Sequence, residues 1–116
     1  MNMTTVKATK GLKVSAGKLD WSLLPIETME EQIKGMMDGN IKYEYENWKL
    51  QDGDVKREYY AAAMRHIAAS IKGETFITDP KGDIQVRHLA SAMNCLMIMM
   101  WHEMQGGGAD KCGPTC

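Results

Sequence analysis

Three carboxylates open the first helical pattern of the chain: Glu27, Glu30 and Glu31. Spacings of three and four residues put pairs of them on one helix face, within reach of one divalent cation. Mg²⁺ takes oxygen ligands, keeps waters and bridges phosphate oxygens, so such a pair suits a phosphorylated substrate. The same residues also make an acidic first turn that complements the helix dipole. Further along, Arg65 and His66 stand between the small residues of AAAM and IAAS. Small neighbours leave room for a phosphate, which a guanidinium binds bidentately. The competing reading pairs Arg65 with an acidic neighbour and keeps His66 as a satisfied core histidine. Glu74, Asp79 and Asp83 follow, either completing a metal site or capping and turning the chain. His88 could ligate a metal, act as acid or base, or cap the bundle. Asn94 stands in an apolar stretch. If buried it must be hydrogen-bonded, as a packing residue or as a contact to a base or sugar.

The elements that position these groups read as helices. Leu23, Leu24, Ile26, Met29, Ile33, Met36, Met37 and Ile41 recur at helical spacing and predict a helix over 23–41. Asp20 or Ser22 is its candidate cap, Pro25 is tolerated in its first turn, and Gly39 is a candidate C-cap. Glu27, Glu31, Lys34 and Asp38 fall on the opposite face. A second helix is expected over 55–72, with Tyr60, Ala63, Met64, Ile67, Ala68 and Ile71 as its buried stripe and Gly73 as its stop. Residues 74–83 read as a linker, and Asp83 as the cap of a third helix over 84–104. Val86, Leu89, Ala90, Met93, Leu96, Met97, Met100, Trp101 and Met104 form one stripe of that helix. Ile98 and Met99 lie off it, so residues 93–101 are apolar nearly all round and call for burial by other helices or another subunit. The fold class expected is all-α: a small bundle of three main helices, completed by oligomerisation.

Composition narrows the function. With 116 residues there is room for one core. Residues 1–17 read as a basic arm, 18–104 as the domain, and 105–116 as a glycine-rich tail. Residues 1–19 carry a charge of +4, residues 20–54 carry −6 and residues 55–116 carry +1. The acidic middle speaks against a continuous basic face, so nucleic acid is an unexpected partner. The longest apolar run, Cys95–Trp101, is about a third of the ~20 residues that a membrane span needs. The N-terminus has no apolar stretch of the kind a secretory signal carries. Three cysteines, an odd number, fit a reducing cytoplasm. His102, Cys112 and Cys116 lack zinc-site spacing, and no phosphate-loop or dinucleotide glycine pattern is present.

The ordered segments GKLDWSLLP (17–25), IETMEEQIKGMMDGNIKY (26–43), NW (47–48), AAAMRHIAASIKGE (61–74), Asp79 and HLASAMN (88–94) carry a resemblance. Together they resemble the phage dATP/dGTP diphosphohydrolase N-terminal domain family, MazZ-type relatives of the MazG-like all-α nucleotide pyrophosphohydrolases, over about residues 17–103. The resemblance implies hydrolysis of a purine deoxynucleoside triphosphate, dGTP or dATP, to the monophosphate and pyrophosphate. It implies Mg²⁺ or Mn²⁺ as cofactor, a homo-oligomer, and the host cytoplasm. Glu27-Thr-Met-Glu30 and Glu31 match the first half of a Glu-x-x-Glu and Glu-x-x-Asp metal pattern. The second half is absent: His88-Leu-Ala-Ser91 stands in its place, and Asp79-Pro80-Lys81-Gly82 departs from the usual linker.

On this reading Glu30, Glu31, Glu74 and Asp79 hold the metal, and Glu30, Glu31, His66 and His88 are the catalytic candidates. Lys42 and Arg65 bind phosphate. Tyr43, Asn47, Trp48 and Asn94 contact the nucleoside. Two other classes compete: a non-enzymatic oligomeric interaction module using the Met-rich helix, and a small nucleic-acid binder using the basic arm.

Overall fold

The computed structural model describes residues 17–51 and 53–106. The basic arm up to residue 16, the tail beyond residue 106, and with it Cys112 and Cys116, lie outside the described residues. Three helices, α1 (Ile26–Lys42), α2 (Val55–Ile71) and α3 (His88–Met104), are preceded or joined by two 3-10 turns, Trp21–Leu23 and Asn47–Leu50. Among the described residues there is no strand, only one isolated antiparallel bridge between Phe76 and Arg87. No described helix is long and apolar enough to cross a membrane.

Pro25 sets the start of α1. A residue before proline is pushed out of the helical region, and Leu24 is extended at φ −101°, ψ 126°. The chain from Asp20 therefore makes only a 3-10 turn, capped by the Asp20 carboxylate accepting from the Ser22 amide at 3.1 Å. The α-helix begins at 26, not at 23. Gly39 is not a C-cap either; it lies inside α1 and its carbonyl accepts from the Tyr43 amide. The second helix follows expectation. Asp54 accepts from the Arg57 amide at its start. Gly73, at φ +103°, lets the chain turn back so that Gly73 and Glu74 amides reach the Ser70 and Ala69 carbonyls.

The third helix starts at His88, four residues later than the pattern suggested, and Asp83 does not cap it. Residues 75–88 form a small folded loop instead. The Ile77 amide donates to the Val86 carbonyl at 2.8 Å, and the His88 amide to the Thr75 carbonyl at 2.9 Å. These bonds hold 86 and 87 extended and delay the helix.

Both α1 and α2 pack on α3. The α2–α3 seam is built of small residues: Ala63, Ala92 and Cys95, flanked by Tyr59, Ala62 and Ile67. Val55, Val86, Ala90 and Ile98 are also buried. Of the apolar stripes read from the sequence, Ala63, Val86 and Ala90 are buried and Ile67 packs on the core, whereas most of the large side chains face outward in the single chain. Ile26, Ile33, Met37 and Ile41 of α1, Tyr60, Met64 and Ile71 of α2, and Leu89, Met93, Leu96, Met100 and Met104 of α3 are all exposed. In α1 the side that meets the rest of the fold sets polar and small residues beside Met29 and Met36. Asp38, expected on the solvent face, is buried, and Gln32, Gly35 and Gly39 are partly buried.

Candidate active site

A cavity of about 460 Å³ opens between α1, the Asn47–Leu50 turn and α2, with Ile98 of α3 also in its wall. That volume falls in the range of small-molecule sites, roughly 300–1,000 Å³. On α1, Gly35 and Gly39 are spaced by four residues and both line it, so this wall carries no side chain at two successive turns. Five of the expected site residues meet here: Tyr43, Asn47, Trp48, Arg65 and His66. Lys81, Asn40, Gln51 and Tyr59, which the sequence reading did not single out, join them.

The cavity offers two kinds of chemistry. Arg65 and Lys81 supply fixed positive charge for phosphate. Tyr43, Trp48 and Tyr59 supply rings, and Asn40, Asn47 and Gln51 supply amides that can donate and accept toward a base or sugar. Several of these groups are held from behind. The indole of Trp48 meets Trp101 edge-on, with centroids 5.2 Å apart, and His102 Nε2 donates to the Trp48 carbonyl at 2.8 Å. His102 thus pins the aromatic turn to α3. The Tyr59 hydroxyl donates to Gln51 Oε1 at 2.5 Å, and burial pushes the phenol pKa up.

Asp38 explains how Lys81 arrives. Its carboxylate accepts from the Lys81 amide at 3.1 Å and the Gly82 amide at 2.9 Å. The Pro80–Asp83 turn is thereby pinned against α1, with Lys81 in the cavity wall. A buried acid near a Pro-Lys-Gly turn is the signal the sequence held, but helical periodicity assigned Asp38 to the wrong face.

The two histidines come together. His88 Nε2 lies 2.6 Å from Glu74 Oε1, and its Nδ1 lies 2.9 Å from His66 Nδ1. His88 is only 7% exposed. Burial, aided by the neighbouring His88, Arg65 and Lys81, lowers the His66 pKa from its ordinary 6.5.

Other expected residues stand elsewhere. Lys42 is exposed at the end of α1, its ammonium 5.3 Å from the Tyr43 ring centroid, and does not line the cavity. Asn94 is buried between α1 and α3. Its Nδ2 donates to the Gln32 carbonyl at 2.9 Å, and its Oδ1 accepts from Gln32 Nε2 at 3.2 Å. It is the helix-packing residue rather than a cavity residue. Glu30 is exposed. Glu31 is taken up by Lys34 at 2.6 Å and Arg87 at 3.0 Å, and the Lys34 bond leads in lowering its pKa. Glu74 is engaged by His88, and Asp79 is exposed on the loop. Among the described residues no three His, Cys, Asp or Glu side chains are grouped as a metal site requires. Glu30, Glu31, Glu74 and Asp79 therefore do not fit a shared cation within one chain.

No curated protein and no solved structure matches the chain significantly. A family match does exist, and it spans the whole of α1, α2, α3 and the cavity between them. Residues 8–112 match the family described as "dATP/dGTP diphosphohydrolase, N-terminal", and the chain belongs to that family.

Proposed function

We propose that the protein hydrolyses a purine deoxynucleoside triphosphate, dGTP or dATP, to the monophosphate and pyrophosphate, as part of phage nucleotide metabolism in the host cytoplasm. The observation that carries this reading is the shared lining of one cavity by Arg65 and Lys81 with Tyr43 and Trp48. A nucleoside triphosphate needs both halves: cations for its phosphates and rings and amides for its base. The family match adds the substrate class.

In this reading Arg65 and Lys81 hold the phosphates and stabilise the charge that develops as water attacks the α-phosphorus. Tyr43 and Trp48 stack on the base, with Asn40, Asn47 and Gln51 beside it. Mg²⁺ or Mn²⁺ enters as a companion of the triphosphate, since Mg²⁺ is commonly held by substrate phosphates with one or two carboxylates. The active form is a homo-oligomer whose contacts are the exposed apolar rows of α1 and α3.

The test is product analysis on a panel of deoxynucleoside triphosphates with Mg²⁺, Mn²⁺ or EDTA. Pyrophosphate and a monophosphate from dGTP or dATP, suppressed by EDTA and by Arg65→Ala, support the reading. No turnover of any nucleotide with either metal overturns it. An interaction module is favoured in that event, because the row from Leu89 to Met104 is open on α3.

A further inference from the structure

The Glu74–His88–His66 chain begins beside the Gly73 turn and ends in the cavity wall. Its hydrogen positions are constrained by chemistry. An ionised carboxylate only accepts, so the hydrogen between Glu74 and His88 sits on His88 Nε2. Two ring nitrogens 2.9 Å apart share one hydrogen, so either His66 Nδ1 or His88 Nδ1 carries it. If it were on His88, that buried ring would carry both hydrogens and a full charge. When both rings are neutral each carries one hydrogen, and since that of His88 is on Nε2 the shared one is on His66. The second arrangement leaves His66 Nε2 bare. That nitrogen has no hydrogen bond to the described residues, yet no buried side-chain nitrogen among them lacks a partner. His66 Nε2 is therefore open, on a residue that lines the cavity.

We propose that Glu74 and His88 are positioning residues that hold His66 as its Nδ1-protonated tautomer, so that the bare Nε2 takes the proton of the attacking water. The inference rests on the hydrolysis proposed above. In the step, the water oxygen bonds to the α-phosphorus. The bond from that phosphorus to the α–β bridging oxygen breaks, and pyrophosphate leaves with the electron pair. The water proton goes to His66 Nε2, and the imidazolium keeps its Nδ1 hydrogen bonded to His88, whose far side faces Glu74. The logic is that of a base oriented by a second group, which by itself sets the tautomer. The groups facing His66 are Arg65 on its own helix, His88 on α3 and Lys81 on the loop, and Glu44 lines the same cavity. Burial and the three cationic or ionisable neighbours favour the neutral ring, which is the form able to accept.

Two measurements on the full chain decide it. The first is the ¹⁵N spectrum of the histidine rings. The expected result is hydrogen on Nδ1 of His66 and on Nε2 of His88. Hydrogen on Nε2 of His66 overturns the relay. The second is turnover of Glu74→Gln, whose amide can donate to His88 Nε2 and so reverse the hydrogens along the chain. We expect kcat to fall about 100-fold or more at an unchanged KM, with His66 found protonated on Nε2. His88→Asn, whose Oδ1 can still accept from His66, should retain more activity than His88→Ala. Unchanged kcat in Glu74→Gln, or equal loss in the two His88 variants, overturns the positioning role. Wild-type turnover tests the functional reading separately, and the ring spectrum reads the relay whether or not turnover is seen.

Discussion

Helix α3 has two sides of opposite character. The inner side sets His88 and Asn94 among Ala90, Ala92 and Cys95, all buried. The outer side sets Leu89, Met93, Leu96, Met100 and Met104 in a row open to solvent. A chain folding only for itself would reverse this. Buried polar groups are costly unless hydrogen-bonded, and here every buried side-chain nitrogen and oxygen among the described residues is. A contiguous apolar row on a surface marks a contact with another molecule. The two sides answer to different demands. The inner side fixes registers between helices through directional bonds, and so fixes the cavity. The outer side exposes apolar area, which the proposed homo-oligomer would bury.

The sharpest way to break the polar side is at the cavity itself. Arg65→Ala should lower kcat/KM for dGTP or dATP by about 100-fold or more, the scale of losing one charge-stabilising donor. Arg65 is exposed, so its urea unfolding midpoint should stay near that of the wild type. Next comes Asp38. Removing a buried carboxylate that accepts two amide hydrogens should cost about 3 kcal/mol, seen in urea unfolding. It should also weaken turnover, because Lys81 loses its anchor. Gly35→Ala follows. A Cβ there would stand 2.8 Å from Asn94 Nδ2 and push the amide off the Gln32 carbonyl. The expected loss is about 1–3 kcal/mol, the cost of unsatisfied buried partners.

The apolar side should respond in the opposite way. Met93→Lys with Leu96→Glu leaves the fold of one chain intact, with stability changed by about 0.5 kcal/mol or less per exposed site. What it should change is association. Sedimentation should show a shift toward the single chain, and the dependence of Tm on protein concentration should vanish. If association and Tm are unaffected, the row is not the contact between copies.

How much of this was legible beforehand follows the same divide. Helix existence was readable, because three runs of apolar residues at helical spacing have few other meanings. So was the Gly73 stop, and so were five cavity residues, because Tyr43, Asn47, Trp48, Arg65 and His66 stand in short ordered segments. Packing direction was not. Periodicity finds the apolar face of a helix but not whether its own chain covers that face: Asp38 falls opposite the apolar row of α1 yet is buried, and Met93 lies in a stretch that calls for burial by other helices or another subunit yet is exposed in the single chain. The start of α3 was hidden as well. Hydrophobic pattern alone cannot see that Val86 is tied to Ile77 across a loop. The partners of the carboxylates were hidden for a related reason. Spacing shows which acids share a helix face, whereas Glu31 meets Arg87 and Glu74 meets His88 only through tertiary structure.

The smallest effect expected is a pH dependence of stability from the histidine end of the polar side. The His66 pKa is lowered in the folded protein, chiefly by burial, from the 6.5 of the unfolded chain. Well above pH 6.5 both states hold a neutral ring and the group contributes no difference. As pH falls below 6.5 the unfolded chain takes up the proton first, so stability must decline with falling pH until the folded pKa is passed. Glu31 and Asp20, also lowered, start from ordinary values of 4.5 and 3.8, so most of their contribution is lost below the window from about pH 5 to 6.5. Urea titrations across that window, with His66→Gln as the control, isolate the term. The wild-type midpoint should drop as pH is lowered, and the variant should show a shallower slope. Equal slopes would place the protonation-sensitive part of the polar side elsewhere than on the ring that faces the cavity.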